Sequence, residues 1–230
     1  MEQIELTGPP LVTVTLRRSR RSRRLSLRVS QLDGRVTMSL PLRTPLREAR
    51  QFALEKEGWI RQALSKRPDM ARPAIGGQVL FEGREVDIAV GNGRVAKYVD
   101  GQITVPDNPD RVAPRLVAFL KLTARTRLRA ASDRYAAALG TSYGRLTIRD
   151  TRSRWGSCSS EGNLMYSWRL VMAPPEVLDY VAAHEVSHLL EMNHSPDYWR
   201  VVASIYPDFK APRAWLRQNG SLLHRYRFSD

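Results

Sequence analysis

Three of the four histidines in this chain of 230 residues fall within eleven positions, and their spacing constrains the local fold more than any other feature. His184 and His188 are four residues apart in the segment HEVSH. On a helix that spacing puts both imidazoles on one face, one turn apart, with about 5–6 Å between their Cβ atoms. Two imidazole nitrogens can then reach one metal ion at about 2.0–2.1 Å. The sequence therefore predicts a helix that carries two ligands of a metal site.

Two neighbouring residues extend this candidate site. Glu185 lies about 100° further around the helix than His184, so it flanks the metal without ligating it and can act as a general base toward water. His194 is the candidate third ligand, because a catalytic zinc ion takes three protein ligands and one water molecule. For His194 to reach the metal, the helix is expected to run to about Met192 and the chain to turn at Asn193.

Other interpretations of the histidines stay open. They could lie together by chance, or they could hold a zinc ion without catalytic use, although structural zinc sites usually have four protein ligands. Cys158 is the only cysteine, which excludes an internal disulfide and a cysteine-based zinc site. We interpret Cys158 as a buried thiol rather than a nucleophile. The only histidine left to activate it is His224, which is expected at the surface.

Charge is the second unusual feature. The formal net charge is +14, and seven arginines without any acid lie between residues 17 and 28. A cationic surface attracts polyanions, so nucleic acid or nucleotide is a possible partner of these arginine-rich N-terminal strands. The alternative is an ordinary solvated strand and loop. The chain lacks the RNA-binding and recognition-helix motifs that would favour a dedicated nucleic-acid-binding protein.

The sequence gives expectations about location as well. No apolar run approaches the roughly 18 residues of a membrane span, so no membrane association is expected. The first ten residues carry two glutamates and lack the apolar segment of a secretory signal. A single cysteine fits a reducing, cytoplasmic environment. The sequence carries no indication of the oligomeric state.

Residues 1–106 are predicted to form a β-rich N-terminal region. Alternation of apolar and polar residues predicts strands at residues 11–16, 25–29, 36–40, 79–81, 85–90 and 103–105. The last three would form a meander that extends the first sheet. Helical spacing of apolar residues covers about residues 46–67, and this predicts one amphipathic helix.

Residues 107–230 are predicted to form a second domain, which gives the whole chain an α+β fold. Helical periodicity runs from Asp110 to about Leu139. Strand-like segments follow at residues 146–149, 154–158 and 164–170, and then helices are expected from Pro174 through the HEVSH motif and at about 196–205 and 207–219.

Five motifs of this second region stand close together in the sequence. They are RWGSCSS at 154–160, WRL at 168–170, APPEVLDY at 173–180, HEVSH at 184–188 and NHSPDYW at 193–199. Together they closely resemble the YgjP-like metallopeptidases, which are relatives of the SprT-type zincins. The resemblance is strongest over residues 153–199. One departure is Ser167, where asparagine is expected before the WRL motif.

The resemblance implies a zincin-like C-terminal domain with zinc on His184, His188 and His194 and with Glu185 as general base. It favours a zinc metallopeptidase of the HExxH type that acts on protein or peptide substrates. Hydrolysis of nucleotide phosphoanhydrides at the same site, and a basic nucleic-acid-binding protein with a structural zinc ion, are the alternatives.

An edge strand beside the metal-binding helix is the expected place for an extended substrate, which would pair with it as an added strand. The segment 154–158 is the candidate for this strand. Trp155, Gly156 and Ser157 are therefore the candidate substrate-binding residues, and the two small residues would allow a close approach of the substrate backbone.

Overall fold

The computed structural model describes residues 2–30, 33–66 and 69–228, and its internal contacts separate two compact units, Met1–Asp69 and Met70–Asp230. Each unit combines helices with a sheet and has its own hydrophobic core, which makes the chain an α+β protein. This division differs from the boundary expected after residue 106. The strands between residues 78 and 105 share their core with the helices of the second unit.

The first unit is a four-stranded sheet with two helices. The strands are β1 (Gln3–Leu6), β2 (Val12–Arg18), β3 (Ser26–Val29) and β4 (Val36–Leu40). Their order in the sheet is β1-β2-β4-β3, and β2 and β4 run parallel while the outer pairs are antiparallel. Alternate residues of β2 and β4 are buried, as the period of two predicts.

Two helices replace the single helix predicted for residues 46–67. They are α1 (Leu46–Glu55) and α2 (Glu57–Ser65). The helical conformation is interrupted at Lys56, where ψ is 5°. The buried residues Ala49, Ala53 and Ile60 keep helical spacing across the break, so the apolar pattern does not reveal it. Residue 67 lies outside the described residues.

The second unit begins with another four-stranded sheet. Its strands are β5 (Gln78–Phe81), β6 (Arg84–Val90), β7 (Lys97–Val99) and β8 (Gln102–Val105), in the order β5-β6-β8-β7. The expectation that these strands extend the N-terminal sheet is wrong, because they pair only with one another within the described chain. Alternation identifies a strand, but it does not identify the neighbouring strand.

The long predicted helix is present as α3 (Val112–Ala138). One side of it is buried along its length, through Leu116, Leu120, Ala124, Leu128 and Tyr135. This side packs against a later helix, α4 (Pro175–Ser187), and against the short 3-10 helix that precedes it, Trp168–Met172.

A three-stranded sheet separates α3 from α4 along the chain. Its strands are β9 (Leu146–Arg149), β10 (Gly156–Cys158) and β11 (Leu164–Ser167), in the order β10-β11-β9. β10 pairs antiparallel with β11, and β11 pairs parallel with β9. β10 is thus an edge strand in the described part of the chain. The helices α5 (Pro196–Ile205) and α6 (Lys210–Asn219) follow α4, and a 3-10 helix, Gly220–His224, completes the series.

The turn between β5 and β6 holds the segment before α4. The amides of Glu82 and Gly83 donate to the carbonyl oxygens of Val171 and Met172 at 2.9 and 3.0 Å. Gly83 has a φ of +77°, and a Cβ atom there would lie 2.8 Å from Cγ of Pro174. This close approach requires glycine. The first sheet of the unit therefore fixes where α4 begins.

Arg169 ties the C-terminal segment to the rest of the second unit. Its guanidinium forms two hydrogen bonds to the carboxylate of Asp150 and donates to the carbonyl oxygens of Leu223 and Tyr226. The side chain is 8% exposed, so these bonds satisfy a buried charge.

The two ends of the second unit also meet. The amide of Ala71 donates to the carbonyl oxygen of Arg225 at 3.0 Å, and the amide of Arg227 donates to the carbonyl oxygen of Ala71 at 2.9 Å. Backbone hydrogen bonds therefore join the beginning of the second unit to its C-terminal segment. Among the described residues, no helix combines the length and apolar character that crossing a membrane requires.

Candidate metal centre

The three predicted ligands lie together at the C-terminal end of α4. Nε2 of His184 and Nε2 of His194 are 3.2 Å apart, and the available nitrogens of all three histidines lie within 4.8 Å of one another. Tetrahedral coordination at 2.0–2.1 Å places neighbouring nitrogens about 3.3 Å apart. The residues present therefore fit a metal ion held by three imidazoles. His188 is buried and His194 is exposed, which leaves the site open on one side.

The path that brings His194 back differs from the sequence prediction. α4 ends at Ser187, five residues before Met192, and His188 is its C-cap. The amides of Leu190 and Glu191 both donate to the carbonyl oxygen of Ser187 at 3.1 Å. The chain therefore leaves the helix in a tight turn directly after the second ligand. This earlier end lengthens the non-helical segment that returns His194 to the metal-binding face.

Hydrogen bonds at the Nδ1 atoms orient two of the imidazoles. Nδ1 of His188 lies 3.0 Å from the carbonyl oxygen of Glu191, and Nδ1 of His184 lies 3.4 Å from the hydroxyl of Tyr180. A carbonyl oxygen accepts only, so Nδ1 of His188 carries the proton and its Nε2 keeps a lone pair for a metal. Tyr180 was not predicted, although its position four residues before His184 places it on the same helical face.

Aromatic side chains from α5 enclose the histidines. Tyr198 is fully buried, its ring lies 4.4 Å from that of His188, and its hydroxyl donates to the carbonyl oxygen of His184 at 2.9 Å. Trp199 lies at 5.9 Å from the ring of His194 and at 6.0 Å from that of His184. These contacts limit the movement of the ligands before any metal binds.

The electrostatics of the site favour neutral imidazoles. Burial, together with the charges of His188, His194 and Arg213, lowers the pKa of His184 to about 3. Burial also lowers the pKa of His188. A metal binds the neutral imidazole, so protons do not compete for these ligands at neutral pH.

Glu185 lies on the flank of the site, against the edge strand β10. Its side chain is buried, and a Cβ atom at Gly156 would lie 2.6 Å from its Oε1. Glycine at this position therefore makes room for the carboxylate. Burial raises the pKa of Glu185 to about 8, and the charge of Arg154 opposes that rise. A carboxyl group with a pKa near neutrality is suited to accepting and returning a proton.

The three candidate substrate-binding residues do not share one environment. Gly156 contacts Glu185, and Ser157 lies opposite Met165 in the pairing of β10 with β11. Trp155 is half-buried, and its ring lies 4.9 Å from that of His224. Trp155 therefore contacts the C-terminal segment.

His224 was expected at the surface, and this expectation is wrong. The side chain is only partly exposed, and burial lowers its pKa to about 4. The His224 ring packs on the ring of Trp155. These two residues are far apart in the sequence, so no local pattern indicates the contact. The thiol of Cys158 is half-buried, and burial raises its pKa.

Residues 23–219 match the YgjP-like metallopeptidase domain family. Comparison with curated proteins gives no match. Two solved structures with partial similarity are metallopeptidase zymogens. Abylysin of Pyrococcus abyssi is 21% identical with a TM-score of 0.36, and the match covers 41% of this chain and 94% of that chain. Jannalysin of Methanocaldococcus jannaschii is 16% identical with a TM-score of 0.35, and the match covers 41% of this chain and 96% of that chain.

Proposed function

This chain belongs to the YgjP-like metallopeptidases, and we propose that it hydrolyses peptide bonds with one zinc ion on His184, His188 and His194 and with Glu185 as general base. One observation carries this proposal. Three convergent imidazoles lie beside a buried carboxylate that does not belong to the ligand set. A zincin-like arrangement of the second unit is part of the same proposal.

The donor set favours zinc. Three imidazole nitrogens suit zinc better than magnesium or calcium, which prefer oxygen ligands. When bound, the zinc ion would polarise the scissile carbonyl, and its charge would favour the ionised form of Glu185. A carboxylate oxygen of Glu185 then takes a proton from the attacking water and passes it to the leaving amine. Buried Tyr198 keeps His184 and His188 in position.

An extended peptide has a suitable partner in β10. One side of this edge strand has no strand beside it in the described chain, and main-chain groups along an edge can pair with an added strand. Gly156 contacts Glu185, so a peptide on β10 would lie next to the general base. Gly156 and Ser157 would bind the peptide through their backbone groups. The ring of Trp155 would hold β10 in place by packing on His224 of the C-terminal segment.

Hydrolysis of a nucleotide phosphoanhydride has less support. The arginines between residues 17 and 28 were the reason to consider it, and they belong to Met1–Asp69, whereas the three histidines belong to Met70–Asp230. Peptide hydrolysis therefore remains the function that the metal centre supports best.

The arginines instead support a separate partner proposal. Arg17 of β2 lies opposite Ser39 and Arg28 of β3 lies opposite Thr37, so both project from the same exposed face on either side of β4. Neither has an acidic partner among the described residues. We propose that this face of the first unit binds a polyanion such as nucleic acid, with phosphate groups as the recognised feature.

Zinc analysis of ligand variants tests the metal centre. The purified protein is expected to carry close to one zinc ion per chain, and His188→Ala to lose most of it, because removing one of three ligands weakens binding strongly. His224→Gln is the matched control, since it changes the histidine outside the cluster. A wild-type protein that is metal-free and cannot be reconstituted with zinc would contradict the proposal.

The role of Glu185 needs a separate variant. Glu185→Gln keeps the shape of the side chain but removes its basicity, so zinc content should stay at the wild-type level while hydrolysis of an unfolded protein falls by about 100-fold or more. Loss of zinc from this variant would indicate that Glu185 holds the metal instead.

A further inference from the structure

Helix α6 places one arginine beside the metal centre. The guanidinium carbon of Arg213 lies 4.4 Å from the centre of the Trp199 ring. The same ring lies 5.9 Å from that of His194 and 6.0 Å from that of His184. Trp199 therefore connects Arg213 to two of the three proposed ligands.

The Arg213 charge has no acidic partner among the described residues, whereas several other arginines of the second unit have one. The paired arginines include Arg127, Arg129, Arg134, Arg169, Arg200 and Arg225, each with an aspartate or glutamate. Unpaired arginines also occur elsewhere on the surface of the unit. Arg213 differs from them because it is exposed, stacked on an aromatic ring and next to the open side of the metal centre.

The positive charge also reaches the interior of the site. Burial raises the pKa of Tyr180 to about 12, and the charge of Arg213 opposes that rise. Arg213 acts in the same direction on buried Tyr198. Both tyrosines contact His184, so the field of this guanidinium extends to the surroundings of the proposed metal ligands.

We propose that Arg213, stacked on Trp199, forms a subsite for a carboxylate of the substrate, which makes the enzyme select peptides with a negative charge near the cleaved bond. This inference rests on the proposed peptidase function. A guanidinium can bind a carboxylate through two parallel hydrogen bonds. Stacking on Trp199 restricts the side chain before the substrate arrives, which reduces the entropy lost on binding.

The carboxylate can come from an acidic side chain or from the C-terminus of a short peptide. The two sources have the same chemistry, and two peptide pairs distinguish them. One pair carries Glu or Gln at a single position next to a cleaved bond. The other pair has a free or an amidated C-terminus close to that bond.

Steady-state cleavage of both pairs is the first measurement. Wild-type protein should cleave the charged member of at least one pair with a KM about tenfold lower. Arg213→Gln should remove this preference and leave cleavage of the neutral peptide near its original rate. Arg217→Gln, which removes a charge one turn further along α6, should keep the preference. Arg213→Lys retains the positive charge but lacks the planar guanidinium that binds a carboxylate through two hydrogen bonds, so it should keep only part of the preference.

Binding to zinc-loaded Glu185→Gln protein is the second measurement, and it does not depend on turnover. Fluorescence anisotropy of labelled peptides should give about tenfold tighter binding of the charged member, and the added change Arg213→Gln should abolish the difference. Equal binding within both pairs would overturn the subsite. A uniform fall in kcat for charged and neutral peptides in Arg213→Gln would also overturn it. Absence of any cleavage by wild-type protein would contradict the peptidase proposal, while the binding measurement still decides the subsite.

Discussion

Glu185, the proposed general base, also affects the stability of the fold. Its carboxyl group is buried, and burial raises its pKa from 4.5 to about 8 in the folded chain, with Arg154 opposing the rise. Between these two values the folded state holds a proton that the unfolded state has lost. The stability that this group contributes is therefore fully present below about pH 4.5 and is lost as the pH rises toward 8.

Glu185→Gln should remove this pH dependence in metal-free protein. Urea unfolding at pH 5 and at pH 8.5 should show a smaller loss of stability in the variant than in wild type, by an amount on the order of a few kcal/mol. Glu48→Gln, at an exposed position of α1, should leave the pH dependence unchanged. Equal loss of stability in wild type and Glu185→Gln would contradict the burial of an ionisable group at this position.

Single residues of the site were predictable only where they are close in sequence. The spacing of His184, His188 and His194 predicted their convergence, which is confirmed, while zinc binding stays a prediction. Arg213 lies in another helix and reaches the site through Trp199, so no local pattern could identify it. The direction of the Trp155 ring likewise depends on the C-terminal segment that packs on it.

Among the elements, the turn between β5 and β6 has the most direct effect on the metal-binding helix. Gly83→Ala should destabilise the second unit by about 2–4 kcal/mol, because alanine disfavours a positive φ and its Cβ atom would overlap with Pro174. Chemical unfolding of the purified variant measures this loss, and zinc retention reports whether α4 has moved.

Gly101→Ala is the matched control for this prediction. Its φ of +81° is as unfavourable for alanine, but a Cβ atom there would meet nothing within 4 Å. We therefore expect Gly101→Ala to cost only about 1–2 kcal/mol, from the backbone alone. If both variants lose the same stability, the contact with Pro174 has no role in placing α4.

Whether a segment forms a helix or a strand was largely predictable from the sequence, but some of the residues at which helices and strands end were not. β4 and β9 have the predicted bounds, and α3 differs by one or two residues. β1 and β7, which are only four and three residues long, were not predicted. The end of α4 depends on the turn after His188. The hydrogen bonds of this turn form where the chain folds back, and the pattern of apolar residues does not indicate them.

At the scale of the whole molecule, the run of arginines between residues 17 and 28 and the candidate metal centre belong to different units. Replacing Arg20, Arg21, Arg23 and Arg24 with glutamine should therefore leave zinc content and peptide cleavage unchanged. If these exposed arginines contribute to the proposed polyanion surface, affinity for duplex DNA should fall. The slope of log K against log salt should become shallower by about 0.9 for each phosphate contact that is lost.

A control with the same change in charge separates a specific surface from net charge alone. It replaces four exposed arginines of the second unit, Arg111, Arg125, Arg145 and Arg149. Fluorescence anisotropy at several salt concentrations should give near-wild-type binding for this control. Equal losses in the two quadruple variants would indicate that DNA responds to net charge only, and unchanged binding in both would contradict the polyanion proposal.

The division into units was the least predictable feature of the fold. A stretch rich in proline and glycine at residues 68–78 was visible in the sequence, but the strands after it alternate like those before it. Their assignment depends on which core buries Val79, Ile88 and Ile103, and that core includes Leu116 of α3. Long-range packing of this kind is not encoded in a local period.

The hydrogen bonds that join Ala71 to Arg225 and Arg227 set an order of events during synthesis. All residues of Met1–Asp69 are available for folding once residue 69 has left the ribosome, whereas the second unit needs residues near 226 to form these hydrogen bonds. At the usual elongation rates of about 5–20 residues per second, these moments are about 8–30 s apart. Each new chain thus presents its arginine-rich unit for many seconds before the unit that carries the candidate metal centre can close.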